Sequence, residues 1–148
     1  MPRDARRALA TLVVALVGAN YVLSGAALLV APEWFFANVG PYPPFNRHYL
    51  GDLGAFLLPL GVGLLVAARH PARHATVLAV AVGASALHAL NHLYDAVVQG
   101  APLAHWLADT APLLLLAALL ALAGVPLREA PPTARGAASR GRSAGPIG

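Results

Sequence analysis

Four stretches of this chain are apolar for long enough to cross a hydrocarbon core of about 30 Å: residues 8–31, 47–68, 75–98 and 103–127. The first carries no charge, and Asn20, Tyr21 and Ser24 are its polar positions. The other three each carry a few polar or ionisable side chains, and helical spacing puts these on one face. They are His48 and Asp52 in the second run, Ser85, His88, His92 and Asp95 in the third, and His105 and Asp109 in the fourth. Asn91 flanks the third stripe and Gln99 extends it. Ionisable groups at membrane depth are costly, so these stripes are where chemistry is to be sought.

The connections follow from their residues. Residues 32–46 hold Trp34, Phe35, Phe36, Tyr42 and Phe45 among four prolines. Such a segment reads as a loop along the headgroups, with its aromatics as interfacial anchors. Trp106, at the head of the fourth run, reads as another such anchor. Asn46 is placed to cap the second helix. Arg69–His74 is a short basic turn, and Gly100-Ala101-Pro102 a tight one. Gly51, Gly54, Gly61 and Gly63 permit close helix approach, as do the Ala15/Ala19 and Tyr21/Gly25 spacings in the first run. Pro59 and Pro112 predict helix kinks. Val17-Gly18-Ala19 resembles a signal-cleavage site, but the apolar run continues well beyond it, which favours a retained span. Residues 1–127 therefore read as one four-helix transmembrane domain, and 128–148 as a disordered basic tail.

Charge adds an orientation. All ten basic residues are Arg, and the first and third connections together hold only Arg47. The N-terminus, the second connection and the tail hold the other nine. By the positive-inside rule both ends are cytoplasmic, giving an all-α integral membrane bundle of four transmembrane helices, N-in/C-in. Composition agrees: 58% of residues are hydrophobic and 11% charged, against about 25% charged in a soluble domain. The pI near 10.4 belongs to topology rather than to nucleic acid. Without cysteine the chain has no disulfide, thiolate ligand or CxxC motif.

This topology brings the stripes to one depth. The second and fourth spans enter from outside with His48, Asp52, His105 and Asp109 in or near their first turns. The third leaves on that side with His92 and Asp95, while His88 stands about 15 Å below Val98. Three readings share this layer. One is a structural hydrogen-bond network that holds the helices in register. Another is a metal or proton site, with His88, His92, Asp95, His105, Asp109 and Asp52 as the N/O donors. The third is a pocket for a small lipophilic ligand such as a quinone, beneath the aromatic rim. Lipid is the expected solvent, and the outer helix faces admit a homo-oligomer or a partner in a membrane complex. A weak internal similarity also links the two halves: Asn20–Ser24 with Asn91–Asp95, and His48/Asp52 with His105/Asp109.

Gly18, Gly25 and Pro32-Glu33-Trp34, the glycine-rich second span and the two-hairpin layout resemble the DoxX-like group of small four-helix bacterial membrane proteins. The resemblance implies a multi-pass protein of the bacterial inner membrane, a function unknown for most members, and a link to quinone-dependent oxidation for some.

Overall fold

The computed structural model describes residues 2–128. Helix α1 runs Arg3–Val30 and a short α2 covers Pro32–Asn38. Helix α3 runs Arg47–Arg69, and a single 3-10 turn at Pro71–Arg73 leads to α4, Ala75–Val98. The last helix, α5, opens as Leu103–His105, widens into a π turn over Trp106–Thr110 and continues as Ala111–Arg128. The fold is all-α, and α1, α3, α4 and α5 are each long and apolar enough to cross a membrane. Their bounds differ from the sequence reading by a few residues, chiefly because α1 starts earlier, at Arg3. The tail expected over 128–148 lies outside the described residues, apart from the backbone of Arg128 at the end of α5.

Local chemistry accounts for the helix ends. The Asn46 side chain accepts from the backbone N–H groups of His48 (3.0 Å) and Tyr49 (3.2 Å), capping α3 as its sequence position implies. Gly100 ends α4 with φ +59, a conformation that glycine adopts without steric cost. Around it, Gly100 N–H donates to Val97 O (3.2 Å) and Ala101 N–H to Ala96 O (2.9 Å), a Schellman closure, and Pro102 then stops any continuation. The segment after α1 is not all loop. Pro32 occupies the first position of α2, where its missing N–H costs nothing.

The helices form a ring in chain order. Helix α1 packs on α3, α3 on α4, α4 on α5 and α5 back on α1. Every neighbour in this ring is antiparallel. The α1–α3 contact is the closest, and glycine sets it. A Cβ on Gly61 would lie 2.6 Å from Val22 N and 2.7 Å from Gly18 O, and one on Gly25 2.6 Å from Leu58 N. Gly18 thus faces Gly61, and Gly25 faces Gly54, at matching spacings along antiparallel helices. Gly51, also expected to favour close packing, faces open space, and Gly63 touches α4 through Val77 instead. The buried core lies towards the Arg-rich end: Ala10, Val14 and Val17 from α1, Leu64, Ala67 and Ala68 from α3, Leu78 and Ala81 from α4, Leu120 and Ala123 from α5. The His and Asp side chains of the α3, α4 and α5 stripes gather towards the other end.

Candidate functional site

The α4 stripe is aimed inward because its small residues, Ala81, Ser85, Ala89 and Ala96, are buried against the other helices. His88, His92 and Asp95 stand beside them, half-buried. On α5 the π turn sets the position of Asp109. Pro112 has no N–H and its ring clashes with the carbonyl four residues back, so the turn before it opens. Ala111 N–H then reaches back five residues to Trp106 O, and Asp109 faces α4.

The two helices meet there through His92 Nδ1 and Asp109 Oδ2, 2.6 Å apart. With the carboxylate as acceptor, His92 donates from Nδ1, which leaves its Nε2 as an acceptor when the ring is neutral and a donor when it is protonated. His105 Nε2 lies 3.4 Å from the same carboxylate oxygen. The His88 ring follows one turn down from His92, with centroids 4.8 Å apart. The side chains of His92 and Asp109 keep about a fifth of their surface accessible (19% and 23%). Such a pair is shielded without being sealed.

Tyr42, from the connection between α2 and α3, covers this layer. Its ring lies 6.1 Å from that of His92, edge-on, and 6.4 Å from that of His105. Its hydroxyl accepts from Gln99 Nε2 at 3.0 Å. Withdrawal from water, together with the nearby Asp95 and Asp109 carboxylates, holds the phenol above its ordinary value, against the opposing pull of the Gln99 amide. Sequence reasoning saw Tyr42 chiefly as an interfacial aromatic, since nothing in a proline-rich loop reveals what it folds over.

Of the six residues singled out from the sequence, the structure gathers His88, His92, His105 and Asp109. Asp95 stands at the rim, beside Tyr42 and 3.4 Å from Asn91 Nδ2. Asp52 is not joined to this layer by any bond described: it pairs with His48 at 3.5 Å, one turn away on α3, and both side chains are mostly exposed. Among the described residues no group of three or more His, Asp or Glu side chains is arranged to hold a metal ion. Asn20 is exposed on α1, whereas Tyr21 beside it is buried. Trp106 is tied to the turn above it, its Nε1 donating to Ala101 O at 3.1 Å.

Towards the bundle centre the polar column has one more member. Ser85 Oγ donates to Ala81 O (2.7 Å) and therefore receives the proton of Tyr21 OH, also at 2.7 Å. This buried bond links α1 to α4 across the ring, and an offset of 64 residues hid it from the sequence. Beyond it come the Leu, Val and Ala side chains of the core, with no ionisable group among them. The polar layer is thus open at one end and closed at the other. Its side chains can donate and accept hydrogen bonds at one end, and at the other they meet the apolar core.

A family model described as a family of unknown function (DUF6632) matches residues 5–142, and the chain belongs to that family. No curated protein and no solved structure matches the chain.

Proposed function

We propose that this is a multi-pass protein of the bacterial inner membrane, with both termini cytoplasmic, whose outward-facing polar layer binds a small lipophilic molecule by hydrogen bonding and proton exchange. The arginine distribution supports the orientation. The observation that carries the site is the 2.6 Å contact between His92 on α4 and Asp109 on α5, flanked by His88 and His105 and covered by Tyr42. A carboxylate that fixes one imidazole nitrogen leaves the other poised to give or take a proton. A purely structural network needs no such surplus: one bond between α4 and α5 would set their register, yet two imidazoles meet one carboxylate and a third lies against the first. The apolar core below argues for a binding site over a path across the membrane.

A quinone is the ligand class that suits these groups, since its oxygens accept hydrogen bonds from imidazole and its ring fits among apolar and aromatic side chains. The DoxX-like resemblance in Gly18, Gly25 and Pro32–Trp34 favours the same class. In a quinone-linked oxidoreductase this chain would contribute the ligand site and the proton, and a partner subunit the electrons.

Binding of a short-chain benzoquinone to the full-length protein in lipid nanodiscs, followed by quenching of tryptophan fluorescence, tests this reading. Saturable binding by the wild type is expected, with a loss of about tenfold in Asp109→Asn and His92→Leu, consistent with removal of one charge-assisted bond. Absence of saturable binding, or stoichiometric metal in the purified protein that disappears in His92→Leu, would overturn it. A reporter fused at Gly148 that scores external would overturn the orientation.

A further inference from the structure

Thr110 closes the π turn and is completely buried. Its Oγ1 has no hydrogen-bond partner among the described residues, the sole buried side-chain polar atom there of which this is true. A threonine within a helix ordinarily satisfies its hydroxyl on the carbonyl one turn earlier. Here the turn is widened, its Ala111 N–H reaching back to Trp106 O, and the Thr110 hydroxyl makes no such bond. A buried hydroxyl left unpaired costs the protein its full desolvation penalty, so its retention calls for a partner supplied from elsewhere.

The position of Thr110 says which partner. It shares a helix face with Ala117, Leu120 and Gly124, all buried, so it points into the ring rather than to its outside. The π turn that holds it packs on α4, the helix of His88 and His92. It follows Asp109 directly in the chain, about 10 Å below the head of α5 at helical rise, so it stands level with the His92–Asp109 contact, on the face turned into the ring. Tyr42 covers the layer from its outer end.

We infer that Thr110 Oγ1 is the inner hydrogen-bonding contact of the bound molecule. This rests on the ligand site proposed above and deepens it: the site selects molecules with oxygen at two separated positions, one for the His92–Asp109–His105 group and one for Thr110. A lipid with a single polar group satisfies only one end. The hydroxyl both donates and accepts, so a carbonyl or a hydroxyl on the ligand meets it equally.

The test compares wild type, Thr110→Val and Thr110→Ser in nanodiscs, using a short-chain 1,4-benzoquinone and the phenol of matching shape that lacks the second oxygen. Wild type should prefer the two-oxygen probe by about tenfold, the worth of one hydrogen bond in a shielded site. Thr110→Val should lose that preference while still binding the phenol, and Thr110→Ser should restore it. Without ligand, Thr110→Val should melt no lower than wild type, because valine keeps the shape and removes the unpaired group. An unchanged preference in Thr110→Val overturns the inference while leaving the ligand site standing. So does a lower melting temperature of the unliganded Thr110→Val protein, which would show the hydroxyl bonded within the protein. Failure of the wild type to bind either probe overturns the site itself, and with it this role for Thr110.

Discussion

The two hairpins of this bundle, α1–α3 and α4–α5, join antiparallel helices by opposite means. In α1–α3 the backbones approach until no Cβ fits at Gly18, Gly25, Gly54 or Gly61 without crowding a neighbour, so backbone packing makes the seam. In α4–α5 the helices meet through a histidine and an aspartate, beside a turn distorted by proline. Where lipid tails compete with apolar side chains on equal terms, close packing of small residues is a dependable source of association, while a polar bond contributes a modest net amount. One hairpin is therefore built for cohesion. The other accepts looser geometry, an unpaired hydroxyl and ionisable groups, the features on which the proposed ligand site rests.

Crowding the seam should have the largest effect. Gly61→Ala pushes a methyl against Val22 N and Gly18 O, backbone atoms that cannot step aside, and should cost about 2–3 kcal/mol in detergent unfolding. Gly51→Ala, with open space around it, should be neutral or stabilising. Equal losses at the two glycines would break the contrast between the hairpins. The polar joint should matter less to stability: Asp109→Leu is expected to cost about 1 kcal/mol, with a similar coupling to His92→Leu in a double-mutant cycle, although either change should weaken ligand binding about tenfold. A loss at Asp109 exceeding that at Gly61 would mean that the polar joint is the scaffold.

A smaller effect concerns the cover. Because the Tyr42 phenol is held above its ordinary value of about 10, folding favours its protonated form. That contribution is complete below pH 10 and is lost as pH rises through the folded value. The ultraviolet difference between wild type and Tyr42→Phe should show phenolate appearing later than in free tyrosine, and Asp95→Asn should bring it earlier. The least effect is expected at the exposed His48–Asp52 pair: Asp52→Asn should change stability by under about 0.5 kcal/mol and leave ligand binding intact.

How much was legible in the sequence follows the range of the interactions. Spans, caps and turns are set by neighbours within a turn or two, and Asn46, Gly100 and Pro102 announced them. The shared depth of His92, His105 and Asp109 followed from the topology, because stripes near the ends of antiparallel helices must fall together. Depth is one coordinate of three, however. His48 and Asp52 sit at the loop end too, yet they lie on the exposed side of α3, and no spacing rule distinguishes that face from the inward one. The glycines were visible one helix at a time, but their pairing is a property of two helices. Pro112 signalled an irregular helix, while the direction in which the irregularity turns Asp109 and Thr110 depends on what α4 presents.

The order of the ring also bears on how the protein is made. The α1–α3 and α3–α4 contacts can form before α5 leaves the ribosome. The contacts of α5 with α4 and with α1 both wait for that last span to emerge. The glycine seam can thus serve as a platform within the bilayer while the second hairpin is still emerging. The histidines of α4 receive their carboxylate last, when α5 arrives and the circle shuts.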